Sequence, residues 1–165
     1  MAMAASQPVP STATVLFPYT SASVRSARHR LAADLRRRGV PPAIVEDSLL
    51  VVSEILSNAL QHARPRRSGK VEVSWDVQDG AVEIQVADGG GPTRPYHQAP
   101  SLSSLGGRGL SIVASIAANW GVQHDESGTI VWATLLFGRY GASRRPDGRS
   151  VGGSVGRSAG QSAGR

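Results

Sequence analysis

The sequence predicts an α+β fold, a two-layer sandwich in which a mainly antiparallel mixed sheet carries helices on one face. Three observations predict it. Val71, Val73, Trp75 and Val77 alternate with polar residues, the chain turns at Asp79-Gly80, and Val82, Ile84 and Val86 resume the alternation. That is an antiparallel hairpin with one wet face. Val45, Leu49, Val52, Leu56, Ala59 and Ala63 recur at alternating spacings of about four and three, the period of a helix with one continuous apolar face. Finally, Ile130, Trp132 and Thr134 alternate with Val131, Ala133 and Leu135, so the segment Thr129 to Phe137 is apolar on both sides and belongs inside a sheet.

The elements follow in order. Residues 1–12 are small, polar and Pro-containing, and are expected to form a disordered leader. Ala13 to Phe17 is a short β-branched run closed by Pro18, which suits an edge strand because proline cannot donate to a further ladder. A helix comes next, with Ser21 or Ser23 as its cap, Val24, Ala27, Leu31 and Leu35 as its inward face, and Gly39 as its stop. Arg25, Arg28, Arg30, Arg36, Arg37 and Arg38 cover much of the remainder, and a solvated surface is the default for such a run. Pro41 and Pro42 suit the first turn of the second helix, which Arg64-Pro65 ends. Two strands complete the pattern, Trp120 to Gln123 and Thr129 to Phe137, joined through Asp125-Glu-Ser-Gly128.

Two features of this pattern point beyond folding. Leu50, Val51, Ile55 and Leu60 widen the apolar face of the second helix until only a narrow polar stripe remains. Asp47, Glu54, Ser57, Asn58 and Gln61 make it, all within roughly 60° of Glu54 at about 100° per residue. A carboxylate and a carboxamide one turn apart on such a helix are costly to bury unless they bind something. Strand parity makes the second statement. Positions 82, 84, 86 and 88 point the same way, so Asp88 lies on the buried face at a strand end, followed at once by Gly89-Gly-Gly-Pro92.

From Gly89 to Gly106 the chain is rich in Gly, Pro and Ser, with Tyr96 and His97 in its middle and Leu102 and Leu105 as anchors, the composition of a lid or binding loop. Gly106-Gly-Arg-Gly109 then runs into Leu110, Val113, Ala114 and Ala117, an inward helix face. A glycine-rich turn that opens a helix presents unbonded N–H groups and the positive end of the dipole, which suits phosphate. It is no dinucleotide fingerprint, because Ile112 stands where a third glycine belongs and a loop precedes it. Taken together, one carboxylate for an amino group, one oxygen for a cation, amides for phosphates and a cover against water describe a nucleotide site.

The composition narrows the classes. There is no cysteine, so disulfides and thiolate metal sites are excluded, and the four histidines show no ligand spacing. No run approaches the roughly 18 apolar residues of a membrane span, and the start lacks a signal peptide's charged and apolar regions, so a cytoplasmic protein without membrane contact is expected. The net charge of +6 resides mostly after Gly138, where six arginines face only Asp147. Residues 138–165 are therefore expected to be a disordered basic tail, leaving one folded domain over residues 13–137 that is close to neutral. A nucleic acid is then an unlikely primary partner, because the positive charge is not spread over a folded surface.

Three stretches resemble the sequence boxes of one ATPase superfamily. Glu54-Ile-Leu-Ser-Asn58-Ala-Leu-Gln-His62-Ala63 looks like the N box, Asp88-Gly-Gly90 like the G1 box and Gly107-Arg-Gly109-Leu110 like the G2 box of the GHKL ATPases, whose histidine-kinase-like fold is the Bergerat type. The short single domain and the pattern Gly128-Thr129-Ile-Val-Trp132 resemble, within it, the anti-sigma-factor serine/threonine kinases. The resemblance covers about residues 14 to 137, and three boxes in order are far more specific than any one. Two departures stand out: Gly91-Pro92 comes early in the G1 box, and Arg108 occupies a position that is small or polar in several relatives.

The resemblance implies ATP and Mg²⁺ as ligands and a role for each matching residue. Asn58 would hold Mg²⁺ through its side-chain oxygen, and Glu54 would accept or orient the proton of an attacking hydroxyl. Asp88 would accept from the adenine amino group with Thr129 assisting, Gly90 would let the base approach, and Gly107, Gly109 and Leu110 would supply backbone at the phosphates. The implied function is phosphoryl transfer from Mg-ATP to a serine of an antagonist protein, which regulates a sigma factor; a homodimer is compatible with it. The alternative is a module that sequesters its partner with ATP as a conformational ligand and transfers little or no phosphate.

Overall fold

The computed structural model describes residues 11–91 and 107–138. Among these, the order of elements is β1 (Thr12–Pro18), α1 (Ala22–Arg37), α2 (Pro42–His62), β2 (Lys70–Gln78), β3 (Ala81–Asp88), α3 (Gly107–Ile116), β4 (Asn119–Asp125) and β5 (Gly128–Leu136). Most of the leader, the basic tail from residue 139 on, and residues 92–106, which include Tyr96, His97, Leu102 and Leu105, lie outside the described residues.

The sheet has five strands in the order β1-β2-β3-β5-β4. Every pairing is antiparallel. β1 is an edge, as the closing proline requires, and β5 lies between β3 and β4, as its two apolar sides require. Asp79 and Gly80 both take positive φ, 49° and 76°, which is the type I′ turn that the Asp-Gly pair specifies.

All three helices contact one another or the same sheet face through the alternate residues Val71, Val73, Trp75, Val82, Ile84, Val86, Val131, Ala133 and Leu135. α2 is the central helix, packed on α1, α3, β3 and β5. It buries Val45, Leu49, Val51, Val52, Ile55, Leu56 and Ala59, and it starts with proline in its first turn. Among the described residues, no helix covers the far side of the sheet. There Trp132 lies over Gly121, where an added Cβ would come within 2.8 Å of the indole ring. This accounts for the apolar outer row of β5: a glycine on the neighbouring strand gives the indole a seat, so Ile130 and Trp132 are half-buried without a second layer.

Two expectations for α1 are corrected. Ser21 stands at the cap position but makes no side-chain cap bond, and the Ser23 hydroxyl instead donates to the Pro18 carbonyl at 2.6 Å, tying the helix start to β1. The arginine-rich surface is also not uniformly solvated. Arg28 donates to the Leu49 carbonyl and the Ser53 hydroxyl of α2, at 2.9 and 2.7 Å. Arg38 donates to Asp34 and, at 2.8 Å, to the Ser11 carbonyl. Asp34 is the hub of this end: buried at 8% exposure, it also accepts from Trp75 Nε1 at 2.8 Å and from Arg37.

Candidate nucleotide site

β3 keeps its register to Asp88, its last residue, which pairs with Thr129 of β5 and is only 4% exposed. Strand parity alone turns the carboxylate to the helix side. The chain then bends sharply, and the Gly90 amide donates to Asp88 Oδ1 at 2.7 Å, an Asx-type turn that holds the carboxylate still. Burial pushes the Asp88 pKa up; the Gly90 amide, the nearby His124 imidazole and the Thr129 amide offset part of that rise, and it stays above the usual carboxylate range.

Gly128 and Gly89 make this close packing possible, while Gly90 is needed for the turn itself. Gly90 has φ of +82°, and a Cβ there would meet the Gly128 backbone at 3.5 Å and Thr129 Oγ1 at 3.9 Å. Gly128, at φ +148°, is tighter still: a Cβ would fall 1.9 Å from the Asp88 carbonyl oxygen. At Gly89 it would fall 2.2 Å from the Pro65 carbonyl. The strand end is thus pinned to the segment that follows α2, with Gly89 donating to the Arg64 carbonyl at 2.7 Å and Arg64 donating to the Gly90 carbonyl at 2.9 Å. This brings the C-terminal half of the α2 polar stripe alongside the Asp88 turn.

Tyr19, just after β1, completes the frame. Its hydroxyl lies 2.6 Å from the Ala59 carbonyl and 2.7 Å from the Ala63 carbonyl, so one phenol proton serves two acceptors at the end of α2. Burial, and then the Asp88 charge, push the Tyr19 pKa up. Tyr19→Phe removes that donor, while Ala59 keeps the Ala63 amide as a partner. A loss of about 1 kcal/mol in urea unfolding is expected, with the end of α2 loosened beside Asp88.

Midway along the stripe, Glu54 faces the first turn of α3. A Cβ on Gly109 would come within 2.7 Å of Glu54 Oε2, so a larger residue there would make the carboxylate swing away from the helix. The first N–H groups of a helix have no intrahelical acceptor, and the dipole favours negative charge there. Asn58 lies one turn farther along α2, about 6 Å of helix rise, and is half-buried. Leu110 is fully buried and anchors α3 on the core. Arg108 is exposed, and Gly107 opens the helix.

The expected residues thus fall into two groups on one side of the sheet. Asp88, Gly90 and Thr129 meet at the strand end, and Glu54 meets Gly109 at the helix start, with Asn58 on α2 next to Glu54 in the stripe. No group of three acidic or histidine side chains that would hold a metal occurs among the described residues. A lone carboxamide oxygen fits Mg²⁺ when phosphate oxygens and waters complete the shell, so the donor set at Asn58 agrees with that ion rather than with a protein-enclosed metal. His124 and Tyr19 were not singled out by the sequence. Gly128 appeared only as part of a pattern, and its role as the seat for the Asp88 carbonyl appears only in three dimensions.

Comparison with known proteins identifies the family. The family model described as "Histidine kinase-like ATPase domain" matches residues 17–135. The "Serine-protein kinase RsbW" of Bacillus licheniformis is 35% identical over 120 residues, covering 65% of this chain and 72% of the relative. That of Bacillus subtilis (strain 168) is 30% identical over 124 residues, covering 67% and 77%. Among solved structures, the RsbU and RsbW domains of Rv1364c from Mycobacterium tuberculosis superpose with a TM-score of 0.62 at 20% identity. The match covers 79% of this chain and 33% of that one.

Proposed function

The chain belongs to the histidine kinase-like ATPase domain family, alongside the serine-protein kinases named RsbW, and from that premise we propose that it transfers the γ-phosphoryl group of Mg-ATP to a serine of an antagonist protein. The consequence is control of a sigma factor, with residues 13–137 as the working unit in the cytoplasm. No helix among the described residues is long and apolar enough to cross a membrane. The observation that most supports the reading is the contact of Glu54 with Gly109, which sets a carboxylate against the first turn of a helix whose other expected neighbour is phosphate.

Each residue then has a task set by its chemistry. Asp88 accepts from the exocyclic amino group of adenine, and Gly90 leaves room for the base at the strand end. The backbone of Gly107, Gly109 and Leu110 receives the phosphate oxygens. Asn58 would hold Mg²⁺ by its side-chain oxygen, and that ion, when bound, neutralises charge on the phosphates. Glu54 takes the proton of the serine hydroxyl as its oxygen attacks the γ-phosphorus, and ADP leaves with the bridging oxygen.

Asp88→Asn tests the binding half. The substitution keeps the size but turns a donor toward the adenine amino group, and a loss of about 1–3 kcal/mol in ADP affinity is expected by calorimetry. Equal affinity in both proteins would remove Asp88 from the site. Incubating labelled ATP with candidate antagonist proteins tests the transfer half.

A further inference from the structure

His124 has no task in the reading above, yet the sheet sets it in line with two residues that do. It is directly opposite Thr129 in the β4–β5 pair, and Thr129 is directly opposite Asp88 in the β3–β5 pair. Residues facing each other across antiparallel strands project to the same side, so Asp88, Thr129 and His124 form one row across the helix-side end of the sheet. His124 Nδ1 is 3.0 Å from Thr129 Oγ1. A Cβ on Gly90, the glycine beside Asp88, would lie 3.9 Å from the same hydroxyl oxygen. His124 itself is exposed and stands at the rim of the row.

A threonine hydroxyl has one proton and two lone pairs, and without a partner it rotates among staggered positions. The imidazole removes that freedom. Where Nδ1 accepts, the hydroxyl proton is engaged and the oxygen shows the base its lone pairs. Where Nδ1–H donates, the hydroxyl proton is released toward the base instead. Either way the hydroxyl meets the purine edge with one set polarity beside the fixed carboxylate of Asp88. We propose that His124 is a positioning residue of the nucleotide site, orienting the Thr129 hydroxyl against the adenine edge. The inference rests on the reading of Asp88 as the adenine acceptor and adds to it the residue that determines what Thr129 presents. A cross-strand pair that served only the sheet would stabilise the hairpin and leave ligand affinity untouched.

The test measures ADP affinity, with Mg²⁺, in the full chain by calorimetry. His124→Leu is expected to weaken ADP about 3- to 10-fold, the scale of one hydrogen bond. His124→Asn, whose amide reaches the position of Nδ1, restores most of the loss. In a Thr129→Val background, which has no hydroxyl to orient, His124→Leu has no further effect. Unchanged affinity in His124→Leu overturns the proposal, as does an equal loss in both backgrounds or a failure of His124→Asn to rescue. His124→Ala serves in place of the leucine variant if that one melts early. Asp88→Asn, measured in parallel, separates the two levels. If it binds ADP as wild type does, the nucleotide reading itself falls and this inference with it; if it loses affinity while His124→Leu does not, only the role of His124 is wrong.

Discussion

Glu54→Ala is expected to retain ATP and to lose phosphoryl transfer, with the single-turnover rate to a cognate antagonist falling about 10² to 10⁴-fold, the usual contribution of a general base. In the proposed site, binding survives because Asp88, the glycine amides and Asn58 are the groups assigned to hold the nucleotide. It can even tighten, since the substitution takes an anion away from beside Gly109, where phosphate oxygens are to sit. Glu54→Gln keeps the shape and should be equally slow, which separates the loss of a base from the loss of packing. If wild type and both variants transfer at the same low rate, or none transfers to any serine, the chain is an ATP-dependent binding module. Sequestration of the partner would then be its whole activity.

The largest effect on stability is expected far from the nucleotide, at Asp34. Its carboxylate, 9% exposed, accepts from Trp75 Nε1 and Arg38 Nε at 2.8 Å each and also from Arg37. Asp34→Ala leaves a buried indole N–H without an acceptor and a guanidinium, itself only 13% exposed, without its counter-charge. Breaking a buried pair from one side typically costs about 3–5 kcal/mol. For a domain of this size that is a fall of roughly 10–20 °C in melting temperature. ADP affinity of the folded protein should be unchanged. A melting temperature within a degree or two of wild type would mean that α1 is held on β2 by its apolar face alone.

The same residue predicts the acid response. Burial raises the Asp34 pKa, but the Trp75 hydrogen bond and the charges of Arg38 and Arg37 outweigh it and hold the group below its ordinary value. A depressed carboxylate stabilises the fold at pH values above the ordinary carboxylate range, and that stability is lost as the pH falls through the folded-state value. Asp88 acts in the opposite direction. Its pKa is raised, so the folded protein takes up that proton before the unfolded chain does, and the cost of burying the charge is relieved as the pH falls. Stability measured toward low pH is therefore expected to fall by the Asp34 contribution, partly offset by Asp88, and Asp34→Asn should flatten the decline.

How much of this was legible beforehand depends on how far apart the cooperating residues are in the chain. The hairpin at Asp79-Gly80, the buried parity of Asp88, the apolar circumference of α2 and the glycine opening of α3 are all written at spacings of two, four or a single turn, where backbone geometry alone decides which side chains share a face. The interior place of β5 was legible as well, from its two apolar sides. The signal for His124 is a tight turn between Asp125 and Gly128, which sets His124 opposite Thr129.

The amino-acid sequence by itself determined the elements, the faces they bury and the three boxes on which the proposed nucleotide site rests. Tertiary structure decided which distant groups meet. Tyr19 reaches the carbonyls of Ala59 and Ala63, Arg28 crosses to Leu49 and Ser53, Trp75 of the sheet donates to Asp34 of α1, and Gly128 gives way to the Asp88 carbonyl. None of these pairs has a periodic signature. A residue's own neighbours fix the direction of its side chain, whereas its partner is fixed by strand register and by the angle at which two layers pack, and those are properties of the whole chain.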